Sequence, residues 1–375
     1  MIRFENVTKA FRHREVITNL NFEIQDEELV VLVGPSGCGK TTTLKMINKL
    51  TSPTSGRILI DNQDIAQLDT VKLRRKIGYV IQKTGLFPHM TVKENIEIIL
   101  QLEGMNTEER DRITSEMMRI VGMNPDEYLY RYPSQLSGGQ LQRIGVARAF
   151  ASDPKIVLMD EPFSALDPIT RAQLQSELVS LQTRLKKTIV FVTHDMDEAI
   201  KIADRICILD SGQILQYDTP ENILKNPANQ YVSEFVGRKR IWNTPELIRV
   251  RDIMQTKPVT CSPEISPKKC MEMMAANRIN AVPVVDSEKR LLGIVYGADL
   301  QKQLSQAKSV SDIMRIEFPQ TSPGKNLLEI LTYVRQNRLD FVPVADEEKH
   351  LLGLITSNGL MTALSQQFVD TEDSI

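Results

Sequence analysis

Three groups of residues carry chemistry that their types and spacing make legible. The first is VGPSGCGKTT, where Gly34 to Thr41 fits the phosphate-cradling pattern G-x-x-x-x-G-K-[ST]. Gly34, Gly37 and Gly39 let backbone N–H groups turn inward toward phosphate oxygens without steric cost. Lys40 is spaced to reach the β- and γ-phosphates, the Thr41 hydroxyl to ligate magnesium, and Thr42 to donate to the α-phosphate. The second group is Asp160-Glu161, which ends the apolar run Ile156 to Met159. Carboxylates there lie at the carboxyl edge of a sheet, where α/β proteins bind ligands. Asp160 is placed to hold magnesium, directly or through water, and Glu161 to act as general base on the attacking water. Taken alone, the pair reads equally well as an acidic strand end capping the next helix; the phosphate loop favours the chemical reading. His194 is the third, following the run Thr188 to Thr193 and so projecting from the same edge toward a γ-phosphate.

Such residues need a parallel sheet to bring them together. Leu29 to Val33, Ile156 to Met159 and Thr188 to Thr193 are short, rich in β-branched residues and flanked by polar ones, as buried parallel strands are. A helix beginning near Lys40 adds its positive N-terminal end to the loop. Another spans Arg171 to Lys187, opened by Asp167 with Pro168 at the first helical position.

After Val236 the texture changes. GRKRIWNTPELI reads as a linker, and then the sequence repeats. Asp252-Ile253-Met254 recurs as Asp312-Ile313-Met314, Ala281-Val282-Pro283-Val284 as Phe341-Val342-Pro343-Val344, and Leu291-Leu292-Gly293 as Leu351-Leu352-Gly353, always 60 residues on. Two copies are too few for a solenoid and fit a pair of small α/β modules packed on each other. The acidic tail FVDTEDSI reads as a frayed end.

At 375 residues, two or three domains are expected. A net charge of −2 argues against a nucleic-acid binder working through bulk charge. No apolar run approaches the roughly 18 residues of a membrane-spanning helix, and MIRFENVTKAF is no secretory signal. A role at a membrane would be that of a peripheral subunit. Cys38, Cys207, Cys261 and Cys270 form no C-x-x-C pair, in keeping with a reduced cytosolic protein.

Leu136-Ser137-Gly138-Gly139-Gln140 decides the family. LSGGQ is the signature of ATP-binding-cassette (ABC) proteins, and residues 1 to about 236 resemble that family. Gln82, after GYVIQ, matches the Q-loop glutamine. Ser164-Ala165-Leu166-Asp167 matches the D-loop, and His194 the switch histidine. The resemblance implies an α/β P-loop ABC ATPase domain, with a RecA-like core plus antiparallel β and helical subdomains. It implies ATP and magnesium as cofactors, with Phe11 stacking on adenine and Gly34, Pro35, Ser36, Gly37, Cys38, Gly39, Lys40, Thr41, Thr42 and Asp160 at the nucleotide. Thr41, Gln82 and Asp160 would hold the metal; Glu161, His194 and Gln82 would be catalytic. Ser137, Gly138, Gly139, Gln140 and Asp167 would act in trans, closing over the phosphate loop of a second subunit in a head-to-tail homodimer.

The repeat resembles a tandem pair of CBS domains. The expected organisation is the ATPase at 1–236, a linker at 237–250, CBS domains at 251–308 and 309–367, and the tail at 368–375. ABC ATPases with this appendage resemble osmoprotectant-importer subunits of the glycine betaine, carnitine and choline class. That implies integral membrane permease subunits, a solute-binding protein, no nucleic acid, and a peripheral place on the cytoplasmic face of the bacterial cell membrane. The apolar Leu86-Phe87-Pro88, within Lys83 to Ile96, would be the docking surface for the permease. Each CBS copy keeps half of the ribose pattern G-h-h-[ST]-x-x-D, Asp299 in the first and Thr356 in the second. Half a pattern argues against AMP or ATP; the resemblance, to a family with members that hold cyclic di-AMP between two such pairs, implies regulation by cyclic di-AMP, lined by Val259, Thr260, Ala281, Val282, Phe341 and Ile355. An importer ATPase for another small solute with ionic-strength-sensing CBS domains stays open beside it, as does a soluble non-transport ABC ATPase.

Overall fold

The computed structural model describes residues 1–12, 14–82, 85–164, 166–237, 244–304 and 306–365. Lys83, Ala165, positions 238–243 of the linker and the tail at 368–375 lie outside the described residues. The chain divides into two compact units, Met1–Val236 and Gly237–Ile375.

In the first unit the strands, numbered along the chain, are β1 (Ile2–Phe11), β2 (Arg14–Ile24), β3 (Leu29–Val33), β4 (Ser55–Ile60), β5 (Gln63–Asp64), β6 (Ile77–Val80), β7 (Ile156–Asp160), β8 (Thr188–Val192), β9 (Arg205–Asp210) and β10 (Gln213–Asp218). One sheet, ordered β2-β1-β4-β5, is antiparallel. Its β1 alternates, burying Ile2 and Phe4, and the Phe4 and Phe22 rings stack at 4.5 Å. Phe11, at the far end of β1, is left exposed.

The other sheet runs β10-β9-β3-β8-β7-β6, parallel from β9 to β6 with β10 antiparallel at the edge. Every residue of β3, β7 and β8 is buried. Strands covered on both faces read as unbroken apolar runs rather than alternating ones. This order sets the carboxyl ends of β3, β8, β7 and β6 side by side. Those ends deliver the phosphate loop, His194, Asp160-Glu161 and Gln82 in that sequence.

Lys40–Ile47 forms the helix after the loop. Gly138–Ala151 is capped by Ser137 in a reciprocal box with Gln140 and packs against the helices Val92–Leu102 and Thr107–Ile120.

The second unit contains the hairpins β11 (Ala281–Val285) with β12 (Leu291–Tyr296) and β13 (Phe341–Ala345) with β14 (Leu351–Thr356). The repeated D-I-M segments are exchanged between the copies. Ile253 and Met254 pack with Val342, Val344 and Ile355, whereas Ile313 and Met314 pack with Val282, Val284 and Val295. Gln255 bonds the backbone of Leu354, and Arg315 that of Ile294. This crossing explains why L-L-G recurs with D-I-M. A Cβ on Gly353 would lie 2.8 Å from Met254 Sδ, and one on Gly293 would lie 3.1 Å from Met314 Sδ. A fixed repeat offset shows that segments correspond but not which core each one fills.

Candidate active site

The phosphate loop is shaped by close approaches. A Cβ on Gly34 would lie 2.0 Å from the Leu209 carbonyl oxygen, and one on Gly39 (φ +108°) 2.3 Å from Ile17 Cδ1. Only glycine fits between the loop and these neighbours. Lys40 is buried and donates through Nζ to the carbonyls of Gly34 (2.7 Å) and Pro35 (2.9 Å), so the ammonium crosses the mouth of its own loop. Burial pushes the Cys38 thiol above its ordinary value.

A cavity of about 650 Å³ opens over this loop. Pro35 to Thr42, Phe11, Glu161 and the turn Asp210-Ser211-Gly212 line it. Sequence reasoning missed that turn. Its signal was present: Ser211 (φ +46°) and Gly212 (φ +80°) form the two-residue link between β9 and β10, where both central residues need positive φ.

Thr41 Oγ1 donates to Asp160 Oδ1 at 2.7 Å. Burial raises the Asp160 carboxyl, opposed by the Thr41 hydroxyl and by Lys45. It also pushes the neighbouring Tyr79 phenol up to about 12, with the Asp160 charge adding to the effect. A hydroxyl and a carboxylate converging on one point are hard oxygen donors of the kind magnesium takes. Glu161 sits at φ +45°, held there as its N–H donates to the Val192 carbonyl at 3.0 Å. A non-glycine residue there costs on the order of 1 kcal/mol, which the sheet edge offsets. In return the Glu161 carboxylate is turned toward two partners. Gln82 Nε2 donates to Glu161 Oε2 at 3.0 Å, and His194 Nδ1 lies 3.5 Å from the same oxygen. Gln82, Glu161 and His194, from three neighbouring strand ends, therefore meet at one oxygen. Such a carboxylate can take a proton from water while the amide and imidazole face the same space.

Phe11 is 48% exposed at the cavity, with Lys9 Nζ 4.7 Å from its ring centre. Ser137 and Gly138 are exposed and Gly139 half-buried at the start of their helix, and none of the three lines this cavity. Asp167 is exposed too, its carboxylate accepting from the N–H groups of Ile169 and Thr170; the Thr170 hydroxyl, with these N–H groups, holds it below the usual carboxylate range.

The family model for ABC transporters matches residues 17–164, and that for the CBS domain matches residues 250–306 and 310–366. The chain is 46% identical over 363 residues to the glycine betaine/carnitine/choline transport ATP-binding protein OpuCA of Bacillus subtilis, covering 96% of this chain and 95% of that protein. It belongs to the ABC transporter ATP-binding proteins that carry tandem CBS domains. To another of these, the osmoprotectant import ATP-binding protein OsmV of Salmonella typhimurium, it is 39% identical over 375 residues, with 97% and 96% covered. Among solved structures, it is similar to the dimeric post-hydrolysis state of the ATP-binding cassette MJ0796 bound to ADP and Pi. That similarity has a TM-score of 0.54 at 36% identity and spans 59% of this chain and 99% of that one. As an ABC ATPase the chain binds and hydrolyses ATP. Among the described residues, no helix is long and apolar enough to cross a membrane.

Two further places matter to an ABC subunit. Phe87 and Pro88 are exposed beside a groove of about 420 Å³ that includes Ile98, Ile99, Leu102 and Arg148. Asn95, not singled out from sequence, is wholly buried there. It accepts from the Phe87 N–H and donates to the carbonyls of Phe87, Met90 and Thr91. In the CBS pair, Val259, Thr260, Ala281 and Phe341 are half-buried, while Val282 and Ile355 are buried in two different cores. The Phe341 ring lies 5.9 Å from that of Tyr296 across the two copies, and Arg315 lies 4.8 Å over Tyr296. Arg315 also donates to Asp299 (2.9 Å), so the acid kept from the ribose pattern is already paired.

Proposed function

We propose that this chain energises import of a compatible solute of the glycine betaine, carnitine and choline class through a separate membrane permease fed by a solute-binding protein. The observation that carries the reading is the meeting of Gln82, Glu161 and His194 at one carboxylate oxygen beside the Lys40–Thr41 loop. The solute class rests on the names of the full-length relatives. Two copies form a head-to-tail homodimer, peripheral on the cytoplasmic face of the membrane, with magnesium at Thr41, Gln82 and Asp160. Ser137 of each copy contacts the γ-phosphate held by the other, and Phe11 stacks on adenine. Phe87 and Pro88 receive the permease. Betaine, carnitine and choline uptake at high salt in a deletion strain, complemented by the wild type or by Lys40→Ala, tests it. No uptake defect for any of the three sinks the solute class.

Cyclic di-AMP is the regulator we assign to the CBS pair. Asp299 is tied up by Arg315, which disfavours a ribose on that acid, while half-buried Phe341 offers a face on which a base can stack. Base–aromatic stacking contributes about 1–3 kcal/mol, so Phe341→Ala should weaken binding about tenfold or more. Calorimetric titration of the whole protein with cyclic di-AMP and AMP should show binding to the first alone. Binding of neither turns the reading toward ionic strength.

A further inference from the structure

Behind His194, the helices Pro168–Leu185 and Met196–Ile202 meet through two rungs of side chains. Arg171 and Gln175, one turn apart on the first helix, face Asp195 and Glu198 at the start of the second. Arg171 Nη1 lies 3.8 Å from Asp195 Oδ2, and Gln175 Nε2 donates to Glu198 Oε1 at 3.1 Å. Arg171 Nη2 also donates to the Leu166 carbonyl at 3.0 Å, so one guanidinium touches the segment before each helix. Asp195 is committed as well. Its carboxylate caps Asp197 and Glu198, and its N–H donates to Thr193 Oγ1 at 3.0 Å.

Both helices follow a segment of the site. Leu166-Asp167 precedes the first, and His194 the second. We propose that Arg171 and Gln175 are positioning residues that tie the His194 loop to the Leu166–Asp167 turn, so that a displacement of either carries the other. This rests on the reading that His194 acts on the γ-phosphate and that Asp167 meets a second copy. Its physical basis is a contiguous polar network between the two segments. Stability alone accounts poorly for Arg171. Its Nε is buried with no hydrogen-bond partner among the described residues, a loss that its contacts to the two loops must offset.

Two measurements on the full-length protein test the tie. In hydrogen exchange, Arg171→Ala should speed the amides of both 166–170 and 193–198 by about tenfold, with melting within a few degrees of wild type. A change confined to one segment, or to neither, overturns it. In single-turnover phosphate release followed for hours, Arg171→Ala should slow hydrolysis about tenfold with KM for ATP moved less than about twofold. In a His194→Ala background the same change should cost less than about twofold, because the residue acts through His194. Equal factors in the two backgrounds overturn the tie and leave the role of His194 standing. Undiminished hydrolysis by His194→Ala overturns that role and the tie with it. Should Arg171→Ala fail to fold, Gln175→Ala removes the second rung and is read the same way.

Discussion

Thr41 Oγ1 donates to Asp160 Oδ1 at 2.7 Å, joining the phosphate loop to the end of β7 across 119 residues of chain. Both atoms are oxygens proposed to hold one magnesium ion, and they already converge where such an ion would sit.

Asp160→Asn separates the metal role from a structural one. The carboxyl is 6% exposed, and burial holds it above its ordinary range, so neutralising it relieves a desolvation cost. Melting without nucleotide should therefore stay level or rise. Hydrolysis should fall by about 100-fold, or about 2.7 kcal/mol of transition-state stabilisation. Phosphate release across a magnesium titration, with calorimetric melting, checks both. Unchanged hydrolysis would rule out Asp160 as the metal carboxylate.

Glu161→Gln should keep ATP binding and ATP-dependent dimerisation while lowering turnover by about 1,000-fold. The amide that replaces the carboxylate is isosteric and still offers an oxygen to Gln82, but it cannot take a proton. Size-exclusion chromatography with light scattering reads the dimer, and phosphate release the turnover. Full activity in this variant would sink the general-base role.

How much of this was legible in the sequence depended on the range of the cause. Leu29–Val33, Ile156–Asp160 and Thr188–Val192 are strands because short β-branched runs buried on both faces have few other conformations. Asp167 caps its helix because an acid before proline is a local signal. The adjacency of β8 to both β3 and β7 was not legible. Crossover connections decide it, and no residue near Thr188 encodes its neighbours. The CBS pair shows the same limit. Phe341 was visible as an aromatic at the position that Ala281 holds in the first copy, but its ring partner Tyr296 and the Arg315–Asp299 pair join different copies. Val282 and Ile355 follow the strand pattern, but each takes a buried position of its hairpin, and their side chains belong to two different cores.

A mixing experiment tests the composite site. Ser137 lies on the helical group, and the cavity over its own phosphate loop does not include it. Lys40→Ala should lose ATP binding, and Ser137→Ala should bind ATP but hydrolyse it about 100-fold more slowly. Mixed together, the two inactive proteins should regain up to about a quarter of wild-type turnover. Half of the random dimers then hold one intact loop facing one intact Ser137. Absence of recovery, with mixed dimers shown by differential tagging, would exclude a site shared between copies. The Ser137 cap adds a control: losing it should cost about 1 kcal/mol of stability in either case.

Glu198 predicts how stability responds to pH. Burial raises its carboxyl above the usual 4.5, against hydrogen bonds from Thr193 and Gln175. A group whose pKa is raised on folding contributes stability that is complete below the unfolded value and lost as pH climbs through the folded one. The wild type should therefore lose this contribution from about pH 4.5 upward, as the unfolded chain gives up the proton that the buried carboxyl, at 7% exposure, retains. Glu198→Gln still accepts from Gln175 and has no proton to lose. Its melting temperature should gain on the wild type by about 2–4 °C between about pH 5 and about pH 8. Scanning calorimetry of both proteins across that range reads the difference directly. A constant difference would mean that Glu198 does not change its charge on folding, and that its contact with Gln175 is held by the same protonation state throughout.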